Sequence, residues 1–149
     1  MAKPVLFKKF RDEILTDEPS RNVTKKNAWG FHLIIDMSGC DERMASEKYV
    51  KVFFDELIKE LDMVPLTKIM TARVDQKGNR GVSAVQMITT SSITFHGDDE
   101  NMCIYLDIFS CKTYDRIKVV NTIVKYFKPK HMASQFLYRD AGPSEAKES

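Results

Sequence analysis

The first part of the chain changes from a polar segment to a strand and then to an amphipathic helix. Residues 1–29 are mostly polar and are predicted to form an irregular N-terminal arm. The apolar run within residues 30–37 predicts the first β-strand. Apolar residues then recur at helical spacing and predict an α-helix from about residue 42 to 62, with Asp41 or Ser46 as its N-cap. The apolar stripe of this helix consists of Val50, Phe53, Leu57 and Leu61.

The second part of the chain is a run of short strand-like segments, followed by a helix and a last strand. Turn-forming residues separate the strands at 75–81 and at 97–99. A second amphipathic helix is predicted over residues 114–127, with Thr113 as its N-cap. The tail, residues 141–149, is rich in small and polar residues and is predicted to be flexible. The predicted strands cover residues 67–74, 82–89, 92–96, 102–109 and 131–138.

This order of elements predicts an α+β fold. Two amphipathic helices can cover one face of a largely antiparallel sheet, which gives a two-layer sandwich. We therefore predict one folded domain over residues 30–140, with an N-terminal arm at 1–29 and a flexible tail at 141–149.

Composition narrows the class of protein. A chain of 149 residues with 43% hydrophobic residues is long enough for one domain with a sizeable core. The formal net charge is +2, with acidic and basic residues mixed, which does not indicate a nucleic-acid binder. The sequence has no run of about 18 apolar residues for a membrane span, and its start lacks the apolar core of a signal peptide. These features predict a cytoplasmic protein.

The three cysteines add little chemistry by their spacing alone. Cys40, Cys103 and Cys111 are an odd number and lie far from any His pair, so neither a complete disulfide framework nor a zinc site is predicted. In the cytosol these thiols are expected to be reduced. A cluster of Lys125, Lys128 and Lys130 is interpreted as a helix C-terminus that complements its own dipole, not as a nucleic-acid patch.

Residues 81–111 hold hydroxyls, an imidazole and a thiol on neighbouring predicted strands. Ser83 lies eight residues before Ser91, His96 lies five after it, and Cys111 follows fifteen after His96. If these strands pair side by side, the four groups are expected to meet at one end of the sheet. Each residue alone is as typical of an ordinary strand, because Ser and Thr are common there and a single His or Cys is often structural.

The combination of motifs is more specific, and it resembles the short, bacterial-type S-adenosylmethionine decarboxylase family. The resemblance spans about residues 30–140 and includes the opening strand at 30–36. Two departures are Thr90, where the family usually has Glu, and Ala84, where it has Gly. The motifs are Gly81-Val82-Ser83-Ala84, Thr90-Ser91, Phe95-His96 and Asp107-Ile108-Phe109-Ser110-Cys111, at spacings typical of the family.

The resemblance implies a proenzyme that cuts itself between Thr90 and Ser91. In that case the Ser91 hydroxyl attacks the Thr90 carbonyl, and the resulting ester is converted to a pyruvoyl group derived from Ser91, which serves as the cofactor. Ser83 and His96 would assist processing, with His96 removing the Ser91 α-proton. Cys111 would return a proton to the substrate carbon. Ser92 is an alternative cleavage position, although the spacings favour Ser91.

The resemblance further implies the substrate and the assembly. The pyruvoyl group would serve as an electron sink for the decarboxylation of S-adenosylmethionine, which yields the aminopropyl donor of spermidine synthesis. A homodimer of processed protomers is implied, and an exposed sheet edge is one way for two copies to pair.

Asp36 and Asp107 are interpreted as structural residues. A sulfonium substrate favours aromatic faces, for which Phe31, Phe95, Tyr105 and Phe109 are the candidates.

Three alternatives remain open from the sequence. The same fold and cofactor could decarboxylate ornithine or arginine. Because Thr90 replaces the usual Glu, the chain could instead be a non-processing relative that binds a ligand or a regulatory partner. An unrelated α+β binding domain is the third alternative, since a fold does not fix a function.

Overall fold

A computed structural model describes residues 3–16 and 23–141 of the chain. These residues form a six-stranded antiparallel sheet with three α-helices on one of its faces. The predicted α+β class with a largely antiparallel sheet is confirmed. The strands are β1 (Gly30–Ser38), β2 (Met70–Gln76), β3 (Asn79–Ile88), β4 (Ser91–Asp98), β5 (Cys103–Ser110) and β6 (His131–Arg139). The helices are α1 (Lys3–Ile14), α2 (Glu47–Glu60) and α3 (Arg116–Phe127), with a short 3-10 helix at Glu42–Ala45.

The strand order across the sheet is β2-β3-β4-β5-β1-β6, so the first strand of the chain lies near one edge, between β5 and β6. Alternate residues of β1, β3, β4 and β5 point toward the helices and form most of the strand contribution to the core. In β1 these are Phe31, Leu33, Ile35 and Met37, and in β5 they are Ile104, Leu106 and Ile108. No helix in the described residues is both long and apolar enough to span a membrane.

The N-terminal arm contains a helix, so the prediction that residues 1–29 are irregular is wrong for α1. Phe10 and Ile14, spaced one helical turn apart, are both buried in the core. The carboxylate of Glu13 accepts a hydrogen bond from the Ser134 amide at 2.7 Å. Arg116 donates to the Ile14 carbonyl at 3.0 Å. The helix was missed because its few apolar residues stand among many charged ones. Residues 17–22 of the arm and 142–149 of the predicted tail lie outside the described residues.

The helix predicted from about residue 42 to 62 is divided in two by its candidate N-caps. The Asp41 carboxylate accepts from the Arg43 amide at 2.9 Å and begins the 3-10 helix. Ser46 has an extended backbone, which interrupts the helix, and its hydroxyl accepts from the Tyr49 amide to begin α2. The second predicted helix begins two residues late, because Asp115 and not Thr113 is its N-cap.

The turns of the sheet are tighter than the sequence predicted. β2 and β3 are joined by two residues, and Gly78 there has a φ of +86°, a backbone conformation that glycine adopts freely. The loop predicted at 75–81 is therefore mostly strand. β3 and β4 are also joined by two residues, Thr89 and Thr90, since Ile88 pairs directly with Ser91.

The second face of the sheet has no helix over it in the described part of the chain. We call it the open face. Most of its exposed apolar side chains lie on β2 and β3, toward one edge of the sheet, while polar residues occupy much of its centre. The exposed apolar residues are Met70, Val74, Val85, Met87 and Tyr105.

Candidate active site

The four candidate catalytic residues form two pairs, one at each end of β4. Ser91 begins β4 and lies beside Cys111, whereas His96 lies near the other end and pairs with Ser83. Five residues of extended strand separate Ser91 from His96, which is about 17 Å. The two also point to opposite faces of the sheet, because Ser91 bonds the buried Ser110 and His96 lies on the open face. The sequence predicted that the four groups would meet at one end of the sheet. Within one chain they do not.

The first pair is Ser83 and His96. They are directly opposite each other on β3 and β4, and the Ser83 Oγ lies 2.8 Å from Nδ1 of His96. Tyr105 is the cross-strand neighbour of His96 on its other side. This end of the two strands requires Gly81, because a Cβ there would lie 1.8 Å from the Gly97 carbonyl oxygen. The glycine of the Gly-Val-Ser motif thus permits the close strand approach that brings serine and histidine together.

The second pair lines a cavity of about 350 Å³ at the opposite end of the sheet. The Ser91 hydroxyl donates to the Ser110 Oγ at 2.8 Å, and the Thr89 carbonyl oxygen lies 3.3 Å from the Ser91 Oγ. Ser110 has no solvent exposure, and its Oγ also accepts from the Lys112 amide at 3.0 Å. The cavity is lined by Asp62, Met63, Val64, Ile88, Thr89, Thr90, Ser91, Ser110, Cys111 and Lys112.

The turn that precedes Ser91 is strained and is held by hydrogen bonds. Thr90 has a φ of +55°, a left-handed conformation that is unfavourable for a β-branched residue. Such a conformation costs about 1–3 kcal/mol and persists only where the surroundings impose it. Here both the amide and the hydroxyl of Thr89 donate to the Val64 carbonyl, at 3.0 and 3.2 Å. The segment after α2 therefore holds the turn in place.

A polar network crosses the centre of the open face. Nε2 of His32 lies 3.0 Å from the Asp107 carboxylate, and the Thr94 hydroxyl donates to the same carboxylate at 3.4 Å. This pairing agrees with the interpretation of Asp107 as a structural residue. His32 was not singled out from the sequence as a functional candidate. Its signal is its place in the opening strand, whose register puts the His32–Phe109 pair two residue pairs from the Ile34–Asp107 pair, on the same face of the sheet.

The four aromatic candidates divide between the two faces. Phe31 and Phe95 are buried in the core and cannot contact a ligand on the open face. Tyr105 and Phe109 lie on the open face, and Phe109 is 5.9 Å from the Trp29 ring between centroids. Trp29, which sequence reasoning did not propose, is about half exposed.

The cysteines differ in reactivity. None of the three forms a disulfide. Burial raises the pKa of the Cys40 thiol to about 12, so this thiol stays protonated and unreactive. Cys111 is only partly buried and lines the cavity beside Ser91. Among residues 3–16 and 23–141, no group of three or more His, Cys, Asp or Glu side chains is placed to hold a metal ion.

Comparison with known proteins gives one consistent family. Residues 31–140 match the family model described as S-adenosylmethionine decarboxylase. An S-adenosylmethionine decarboxylase proenzyme from Clostridium botulinum is 33% identical over 93 residues, which cover 61% of this chain and 77% of that protein. Another from Archaeoglobus fulgidus is 28% identical over 102 residues, covering 67% and 88%.

A solved structure shares the fold. The crystal structure of the adenosylmethionine decarboxylase from Aquifex aeolicus is similar with a TM-score of 0.68 at 16% identity. The match covers 79% of this chain and 96% of that one. α1 lies before the first residue of the family match, so it is an addition to the matched region.

Proposed function

Because this chain belongs to the S-adenosylmethionine decarboxylase family, we propose that it decarboxylates S-adenosylmethionine after cutting itself between Thr90 and Ser91. The observation that carries this proposal is the position of Ser91. Its hydroxyl follows a strained two-residue turn and lies in a cavity that also contains Cys111. The relatives are named proenzymes, which supports a chain that is processed before it acts.

Self-cleavage uses the chain's own atoms. The Ser91 Oγ attacks the Thr90 carbonyl carbon; an ester bond forms, the peptide C–N bond breaks, and the hydroxyl proton passes to the freed amine. Removal of the Ser91 α-proton by His96 then expels the Thr90 carboxylate and leaves a dehydroalanine. Water then hydrolyses the dehydroalanine, which releases its nitrogen as ammonia. The products are chain 1–90 and chain 91–149, the second of which begins with a pyruvoyl group.

The residues around Ser91 fit such a group. A ketone at position 91 would lie in the same cavity as the Cys111 thiol and the Lys112 side chain. The pyruvoyl group supplies the electron sink for decarboxylation of an amino acid. Cys111 is suited to donate a proton to the substrate carbon, because its thiol lines the same cavity as position 91.

The role of His96 calls for a second copy of the chain. His96 lies about 17 Å along β4 from Ser91, beyond the reach of a side chain, and it faces the open face. We propose a homodimer through the open face in which the Ser83–His96 pair of one protomer lies against the β3–β4 turn of the other, where Ser91 begins β4. Exposed Met70, Val85 and Met87 support this, because contiguous apolar surface often marks an interface. The bonds of Asp107 to His32 and Thr94 support it too, since a carboxylate needs such partners when it is covered.

The unpaired thiols support a proposal for where the enzyme acts. Three unpaired cysteines are typical of a reducing compartment, so we place the enzyme in the cytoplasm.

An intact-mass spectrum tests the cleavage. We expect two species that match 1–90 and 91–149, the second one ammonia lighter than a fragment that begins with serine. Ser91→Ala is the control and stays uncut. A single uncut mass for the unaltered protein would refute self-processing and favour a binding relative. Carbon dioxide release from S-adenosylmethionine, ornithine and arginine then identifies the substrate.

Complementation tests the shared site. Ser91→Ala and His96→Ala chains are produced together with different tags. If His96 acts across the dimer, the His96→Ala chain is cut only when the Ser91→Ala chain is present. If the mixture stays as uncut as the single variants, His96 does not act from a second copy.

A further inference from the structure

We propose that Ser110 is a positioning residue for self-cleavage, which holds the Ser91 hydroxyl in the orientation that attacks the Thr90 carbonyl. The inference rests on the proposed self-processing and adds a residue to it. Ser110 belongs to the last of the family motifs, but the sequence predicted no role for it.

The contact is direct and buried. Ser110 is the cross-strand partner of Ser91 in β5, and their Oγ atoms lie 2.8 Å apart. Ser110 is fully buried, so a hydroxyl there is unfavourable unless it is hydrogen-bonded. Gln86 and Thr122, each 4% exposed, are the other buried polar residues in the described part of the chain, and Ser110 alone among the three hydrogen-bonds a candidate catalytic side chain.

The surroundings of Ser110 fix its own orientation. A serine hydroxyl has one proton to donate and two lone pairs that accept. The Lys112 amide occupies one lone pair at 3.0 Å, which leaves the other for the Ser91 hydroxyl. Because the Lys112 amide belongs to the backbone just after β5, the acceptor offered to Ser91 is held by the main chain.

Orientation matters because the first chemical step takes place between two adjacent residues, Thr90 and Ser91. The Ser91 Oγ must approach the carbonyl carbon of the preceding residue, which requires one of the staggered side-chain rotamers. A serine beside a tight turn would otherwise sample several rotamers. The bond to Ser110 selects one of them in advance, and such positioning is a general source of rate.

The effect is measured as the rate at which newly made precursor is cut. The full-length chain is synthesised in a cell-free system, and the fraction cut is followed by intact mass. We expect Ser110→Ala to slow cleavage by about tenfold or more. Ser110→Thr keeps the hydroxyl and is expected to restore a rate close to that of the unaltered protein.

A matched control separates positioning from stability. Thr122 is also buried, and its hydroxyl donates to the Lys118 carbonyl within α3 at 2.8 Å, away from the cavity. Thr122→Ala removes a buried hydroxyl of the same kind and is expected to leave the cleavage rate unchanged. Thermal unfolding of all variants in the uncuttable Ser91→Ala background compares their stabilities.

Ester formation can be measured separately from the elimination that follows it. In a His96→Ala chain the ester should form but not eliminate, and hydroxylamine cuts an ester at neutral pH. Adding Ser110→Ala to that chain should reduce the hydroxylamine-sensitive fraction, while adding Thr122→Ala should not. Cleavage of Ser110→Ala at the unaltered rate, or no rescue by Ser110→Thr, overturns the proposal while self-processing stands. An unaltered protein that is never cut overturns both.

Discussion

At the scale of single residues, the conformation of Thr90 connects the fold to the chemistry. The sequence marked Thr90 as a departure from the family pattern at the predicted cleavage point, and the structure adds that its backbone there is left-handed. Strain of about 1–3 kcal/mol in the residue whose carbonyl is attacked raises the energy of the precursor. Loss of that strain on cleavage favours the products.

Thr90→Gly tests this strain. Glycine adopts positive φ freely, so in the uncuttable Ser91→Ala background it should raise the melting temperature by about 2–4 °C per kcal/mol released. In the cuttable chain the same change should slow cleavage. Thr89→Gly is the control, because Thr89 is not among the described residues with positive φ and should lose stability on substitution. A lower melting temperature for Thr90→Gly would show that the turn stores no strain there.

Gly81 gives a second residue-scale prediction. A Cβ at position 81 meets backbone, 1.8 Å from the Gly97 oxygen, so Gly81→Ala should push β4 away and weaken the Ser83–His96 contact. Cleavage should slow, as it would in His96→Ala. Gly97→Ala is the graded control: its Cβ would first meet the flexible end of Met44 at 3.3 Å, so its cleavage rate should fall less.

At the scale of elements, α1 is the largest difference between the sequence prediction and the structure. It is held by contacts distant in sequence: Phe10 and Ile14 enter the core, and Arg116 bonds the Ile14 carbonyl while stacking 3.8 Å over the Phe136 ring. An isolated helix of this length is marginal in water, so these contacts stabilise it. Contacts made far along the chain cannot be read from the helix's own sequence.

Phe10→Ala tests how much α1 contributes. Removing a buried aromatic side chain typically costs about 3–5 kcal/mol, which for a chain of this size lowers the melting temperature by roughly 6–20 °C. Lys9→Ala, at an exposed neighbouring position on α1, should have little effect. Equal melting temperatures for the two variants would mean that α1 is not part of the folded core.

The strands and the two central helices were predictable because their apolar residues recur with clear periods. The division of the segment at 42–62 was not, because it depends on the extended backbone of Ser46. The site shows the same limit. Ser83 and His96 flank one hairpin and Ser91 and Ser110 flank the next, so both contacts depend on the exact register of two consecutive strands, which hydrophobic periodicity alone does not give.

At the scale of the whole molecule, the open face is the feature that one chain leaves incomplete. We expect Val85→Glu to weaken self-association in sedimentation velocity and to slow cleavage, because it would bury a carboxylate between two sheets. Val52→Glu is the matched control, since Val52 is a similarly exposed valine on α2, away from this face. If Val85→Glu sediments like the control, the open face is not the interface.

The strand order has a further consequence once the chain is cut. With the proposed cut between Thr90 and Ser91, chain 1–90 would keep β1, β2 and β3, while chain 91–149 would keep β4, β5 and β6. Because β1 lies between β5 and β6, three of the five strand pairings then join separate polypeptides, and the two products are interleaved. The precursor refolds as a unimolecular process, but the unfolded, cut protein must find its other half in solution. Self-cleavage therefore makes recovery from denaturation depend on protein concentration, so an enzyme that unfolds after activation in dilute solution is effectively lost.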